Sequence, residues 1–200
     1  SGGPHLAGST RNSQKRYLRE LEPTGEMCAL VQSPAQRPRM MDLPITFTEE
    51  DARHVHFPHN DPLVVEAQIA NKKVSRILVD NGSSVNILFK AAFHAIGLTE
   101  RDLTPCPVQL QGFNGDALMP LGKIQLPVTL RGDHDACAFK HCTFVVVDCP
   151  TAYNAILGRP VLIDFGAITS IRHLCLKFPC DNGRIGTLRG DQRSARSCYN

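Results

Sequence analysis

Between Leu63 and about residue 180, the apolar residues of this chain come in short, β-branched runs broken by Gly, Asn and Pro. That punctuation constrains the fold more than any other feature. "LVVEAQIA" and "VSRILV" flank Asn71-Lys72-Lys73 and read as a β-hairpin. "VQLQGFNGDALMPLGKIQLPVTL" and "FKHCTFVVVD" continue in strands separated by Gly and Asn turns, and "SIRHLCLKF" resumes strand. Helical spacing is brief. "LFKAAFHAIGL" (88–98) stops at Gly97, and Pro160 marks a helix start after the buried strand that ends at Gly158. Many short strands with one or two short helices predict a mostly-β domain. A parallel nucleotide-binding sheet would need longer alternating helices, and neither GxGxxG nor a P-loop occurs. "DFG" at 164–166 stands without the rest of the kinase signature.

The ends differ in character. Residues 1–43 mix Pro, Gly, Ser, Gln and charge without periodicity and are expected to be linker or disordered. "PITFTEEDARHV" then predicts a short strand and a helical turn capped by Thr48. Residues 44–180 form the predicted domain, and the arginine-rich 181–200 is expected to be a polar linker. The first residue is Ser, as expected for a piece of a longer polypeptide, and the first twenty residues lack the apolar stretch of a signal peptide. No apolar run reaches the roughly eighteen residues of a membrane span.

The net charge is only +3, with Arg11, Lys15, Arg16, Arg19, Arg37 and Arg39 near one end and Arg184, Arg189, Arg193 and Arg196 near the other. No aromatic-interleaved basic motif strengthens a nucleic-acid reading, so solvated flanks are the better account. The eight cysteines are irregularly spaced without CxxC, which favours free thiols in a reducing, intracellular compartment. His134, Cys137, His141 and Cys142 offer metal-ligand chemistry, but not at zinc-finger spacing. His54, His56 and His59 form a second weak cluster. No metal and no cofactor is expected.

Chemistry concentrates at "RILVDNGSSVNIL" (76–88). Asn-Gly between apolar runs is a strong signal for a tight hairpin, which would make Asp80 turn punctuation. Alternatively, the strand delivers Asp80 as a catalytic carboxylate, able to accept from the Gly82 amide and the Ser83 hydroxyl. Two downstream features favour the second account. A glycine-rich tip, Gly112-Phe113-Asn114-Gly115, suits a lid over an extended substrate. "YNAILGRPVLIDFG" supplies an apolar strand, Ile156-Leu157-Gly158, followed by a helix.

This ordered set resembles the retropepsin-like aspartic proteases: Asp-x-Gly-Ser after an apolar strand, a glycine-rich flap, then Ile-Leu-Gly-Arg before a short helix. "FPHNDPLVV", "ILVDNGSSVNILF" and "LRGDQRSAR" look similar to plant Ty3/gypsy-type retrotransposon polyproteins. The resemblance implies a closed β-barrel lobe and an aspartic endopeptidase that processes its own polyprotein in the cytoplasm or in a virus-like particle. It implies Asp80 as the catalytic residue, with Asn81, Gly82, Ser83 and Ser84 as its loop and Gly112–Gly115 as the flap. Ile156, Leu157 and Gly158 would be structural support. The partners implied are a second copy of the chain and an extended peptide or polyprotein substrate, with no membrane.

Peptide hydrolysis of this kind needs two carboxylates sharing one proton. The second "DNG", Asp181-Asn182-Gly183, follows "KFPC" and precedes Arg184, so it reads as a turn. A symmetric homodimer would then contribute Asp80 twice. Position 81 departs from the family, which usually has Thr or Ser there to tie the two catalytic loops together across the dimer. Asn offers both a donor and an acceptor for a substitute contact. A catalytically silent dimerisation or peptide-binding module is the alternative expectation.

Overall fold

A computed structural model describes residues 43–111 and 116–199. Strands β1 (Val64–Ile69) and β2 (Lys72–Val79) form the expected antiparallel hairpin, Ile69 facing Lys72, with Ala70 at φ 55° in the turn. β3 (Asn86–Phe89) leads into helix α1 (Lys90–Ala95). The short strands β4 (Leu110–Gln111) and β5 (Ala117–Leu118) pair with each other. The long β6 (Gly122–Arg131) and β7 (Cys137–Val147) pair from Gly122↔Val146 to Arg131↔Cys137.

Six strands close a barrel in the order β1-β2-β8-β3-β7-β6, where β8 is Ala155–Leu157. β8 lies parallel to β2 and antiparallel to β3, and β3 runs parallel to β7. Pairing of β1 with β6 at Gln68↔Thr129 and Ile69↔Val128 completes the ring and leaves no open edge in it. Inside lie Ile69, Ile77, Leu88, Leu157, Phe93 and Phe144, all fully buried. Helix α2 (Arg159–Asp164) follows β8 with Pro160 in its first turn, as the sequence indicates.

Three expectations need correction. The helix expected over 88–98 begins two residues late, because Leu88 and Phe89 stay extended to pair with Val146 and Val147 of β7. Its stop is as expected, with Gly97 at φ 92°. Residues 44–48 form no strand, although Thr48 does cap a 3₁₀ turn, Glu49–Ala52, in which the Asp51 carboxylate accepts from the Thr48 N–H at 2.8 Å.

The third concerns 181–199, which is folded. β9 (Ile168–Ser170), β10 (Cys175–Pro179) and β11 (Ile185–Arg189) make an antiparallel sheet in the order β11-β10-β9, and helix α3 (Gln192–Tyr199) follows. Arginines dominate the composition of this segment, but its few inward positions are decisive: Leu188, Gln192 and Ala195 are buried. Arg189 and Arg196 are held by Asp133 and Asp61 at 2.9 and 3.1 Å. Among the described residues no helix is long and apolar enough to cross a membrane.

Candidate active site

The position of β8 decides how Asp80 is presented. A hairpin at Asp80-Asn81-Gly82 would pair β2 with β3, but β8 lies between them and pairs with both. The loop from Asp80 to Val85 therefore crosses the end of a third strand. The Asp80 N–H donates to the Leu157 carbonyl at 2.9 Å, extending the β2–β8 ladder to the carboxylate itself. A turn does form locally. The Asp80 Oδ1 accepts from the Gly82 N–H at 2.8 Å and its carbonyl from the Ser83 N–H at 3.2 Å. The Ser83 hydroxyl does not reach the carboxylate; it donates to the Val85 carbonyl at 2.7 Å. Asp80 is half-buried, while Asn81, Gly82 and Ser84 are exposed.

The loop is braced from below. Gly158 passes so close under it that a Cβ there would run into the Val85 carbonyl oxygen and lie 2.8 Å from that of Ser83. Asn86, only 2% exposed, places its Oδ1 to accept from the Gly158 N–H at 3.0 Å and the Val161 N–H at 3.4 Å. Its Nδ2 donates to the Thr143 carbonyl at 3.0 Å, so one buried amide joins loop, β8, α2 and β7. Arg159 adds a clamp from the side: Nη1 donates to the carbonyls of Asn81 and Gly82 at 3.2 and 2.9 Å. Its backbone N–H donates to the Ser83 carbonyl at 2.9 Å. Asn81 itself turns toward β9, where its Nδ2 donates to the Thr169 Oγ1 at 3.0 Å.

Gly112, Phe113, Asn114 and Gly115 lie outside the described residues. The strands flanking them, β4 and β5, pair as an antiparallel stem through Leu110↔Leu118 and Gln111↔Ala117. That stem leans on the site's own apolar wall. Leu110 and Leu118 pack with Val85, Ile87 and Ile156 against a cluster of Phe89, Val145 and Val147. The wall and the carboxylate loop thus share Val85.

Part of the chain is similar to known proteins. Residues 65–161 match the aspartyl protease family. The retroviral protease-like domain of Ddi1 from Leishmania major is 22% identical and covers 66% of this chain and 96% of its own, at a TM-score of 0.50. The fold is retropepsin-like. A retropepsin-like aspartic protease from Rickettsia conorii is 18% identical over 62% of this chain and 80% of its own, at a TM-score of 0.42. No curated protein matches the chain.

Within this retropepsin-like domain the other sequence candidates fall elsewhere. Asp181-Asn182-Gly183 is a turn, closing the β10–β11 hairpin with Gly183 at φ 78°. The histidine–cysteine cluster is split by the alternation of β7. Cys142 points into the core, where burial pushes its thiol up to about 12, while Cys137 and His141 face solvent. His54 and His59 instead meet the carbonyls of Leu174 and Arg172, at 3.3 and 3.1 Å. The seven described cysteines are free.

Asn86, Arg159 and Thr169 carry more of the site than the sequence suggested. Asn86 had a signal, as the lone polar residue in "VNILF", where burial would oblige it to find partners. Arg159 stands inside the Ile-Leu-Gly-Arg motif, without a sign of what it holds. Thr169 had no signal at all.

Proposed function

We propose that the domain is an aspartic endopeptidase that cuts a retrotransposon-type polyprotein, itself included, and works as a symmetric homodimer. The observation that carries this is the placement of Asp80. Its carboxylate ends a core strand, is held by the Gly82 amide, and still opens to solvent beside the apolar wall. In the dimer, two Asp80 carboxylates about 3 Å apart would share one proton, since both cannot ionise readily. The ionised one takes a proton from the water between them as its oxygen attacks the scissile carbonyl. The protonated one gives its proton to the carbonyl oxygen, forming a tetrahedral diol. Collapse of the diol passes a proton to the departing amide nitrogen and restores the shared state.

Support for the dimer comes from the same face. β9 is the edge of its sheet, and Ile163, Ile168 and Ile171 are 76%, 51% and 50% exposed around it. Three isoleucines beside an unpaired strand edge suit a two-fold contact that brings both Asp80 loops together. The substrate would lie extended under the two flaps, its backbone pairing with them and its side chains filling pockets at Ile87, Leu110, Leu118 and Ile156. The site is the cytoplasm, or a virus-like particle where the element is active.

Asn81 favours a second reading, a silent module that dimerises and binds peptide without hydrolysis. One experiment separates the two. The purified chain and its Asp80→Ala variant are incubated with a denatured gag–protease substrate across mildly acidic pH, and both are sedimented. Cleavage by the wild type alone supports the enzyme. A clean dimer that cleaves at no pH supports the silent module, and a strict monomer without cleavage overturns both.

A further inference from the structure

We propose that Thr169 is a positioning residue for the Asp80 loop, holding it through Asn81 within a single protomer. The inference rests on the reading of Asp80 as the catalytic carboxylate. Arg159 fixes the loop by its main-chain carbonyls, and Asp80 is fixed by its own N–H on Leu157. Neither contact touches the side chain of Asn81. That side chain is settled by one hydroxyl: Thr169 Oγ1 accepts from Nδ2 at 3.0 Å and sits 3.5 Å from Oδ1, toward which it donates.

A hydroxyl is both donor and acceptor, and so is a primary amide, so each answers both halves of the other. Thr169 is in turn a fixed point. It pairs with Leu176 of β10, a residue with no exposed surface, so its register is set by the core and not by the loop. The catalytic loop is thereby referenced to the C-terminal sheet of the same chain. Where the resemblance would put a hydroxyl at 81 reaching across a dimer, this chain has an amide at 81 and the hydroxyl at 169. The bond is exposed in the single chain, so its expected role is geometry more than stability.

The test uses the full chain with Thr169→Val, which is close in shape but lacks the hydroxyl, and Thr169→Ser, which keeps it. Asn81→Ala and the Asn81→Ala/Thr169→Val pair complete a cycle. Cleavage kinetics and melting temperature are read for each. Thr169→Val is expected to lower kcat about tenfold with KM and melting temperature little changed, as a displaced reacting group should. Thr169→Ser should recover the rate, and the double variant should be no worse than Asn81→Ala alone.

Wild-type kcat in Thr169→Val, an equal loss in Thr169→Ser, or additive losses in the double variant would overturn the proposal. If the wild type itself does not cleave, the endopeptidase reading fails separately. The contact is then read by NMR from the Asn81 side-chain amide protons. A shift between wild type and Thr169→Val, absent in Thr169→Ser, upholds the contact, and unchanged resonances sink it.

Discussion

The chain contains the tripeptide Asp-Asn-Gly twice, and the two copies do different things. At 181–183 it is the tip of a β-hairpin. Cys180 N–H bonds to the Arg184 carbonyl at 2.8 Å, Asn182 Oδ1 accepts from the Arg184 N–H, and Asp181 is exposed. At 80–82 the strands on either side do not meet, because β8 lies between them. There Asp80 is tied to Leu157, Asn81 to Thr169, and the carbonyls of Asn81 and Gly82 to Arg159. Identical local chemistry gives a turn in one place and a braced carboxylate in the other. The difference comes from β8, Ala155–Leu157, far downstream of Asp80 in the chain.

The largest expected effect breaks the pair apart functionally. Asp80→Ala should remove cleavage by at least about a thousandfold, the usual consequence of deleting a catalytic group. Asp181→Ala should leave kcat and KM unchanged. Equal losses in the two variants would mean that neither aspartate is special and that the loop geometry has been misread.

Next comes the brace itself. Gly158 has an ordinary backbone and is glycine for want of space, since any Cβ collides with the loop's carbonyls. Gly158→Ala must push the Ser83–Val85 segment away. It is expected to cost about 3 kcal/mol, at the upper end of overpacking, and to abolish cleavage with it. Chemical denaturation and the peptide assay check the two effects together. A variant of normal stability would show that the loop can yield.

How much of this was legible beforehand follows from the range of the interactions involved. β-branched runs and Gly/Asn turns disclosed the strands of β1, β2, β6 and β7, and Pro160 disclosed the start of α2. Asp80, Gly82 and Ile156–Gly158 were recognisable as a set by their order along the chain. What the tripeptide could not show was β8 entering between β2 and β3, because a parallel pairing leaves no local turn signal. The same limit hid β11 and α3, whose few inward residues stand among arginines. It also misassigned the Ser83 hydroxyl, which serves its own backbone two residues on.

The hairpin bearing Asp181 gains its fixity from its strands, and a titration can show it. Lys177 on β10 meets Asp51 at 2.8 Å, with the two side chains 13% and 10% exposed. Burial pushes the Asp51 carboxyl up, but hydrogen bonds from Lys177 and the Thr48 N–H, with the charges of Lys177 and Arg189, prevail and hold it below its ordinary 3.8. A depressed carboxyl stabilises the fold fully above its unfolded value. That contribution is lost as pH falls below 3.8 and through the lower folded value. Lys177→Met is therefore expected to cost about 3 kcal/mol at pH 7, since it strands a buried charge. The gap between variant and wild type should close as the pH falls below 3.8 and through the lower folded value. A gap independent of pH would assign the loss to the cation–π contact of the Lys177 ammonium, whose Nζ lies 5.1 Å from the Phe47 ring centroid.

The smallest effect returns to the tripeptides through their glycines. Gly183 has nothing within 4 Å of a would-be Cβ, so space does not exclude a side chain. Its constraint is φ 78°, which L-residues adopt at a cost. Gly183→Ala is expected to lose about 1 kcal/mol and Gly183→Asn less, because Asn tolerates this region. Neither should alter cleavage. The order of the two losses is the informative result. If Asn were as costly as Ala, the limit at 183 would be steric after all, and the two turns would be more alike than their surroundings indicate.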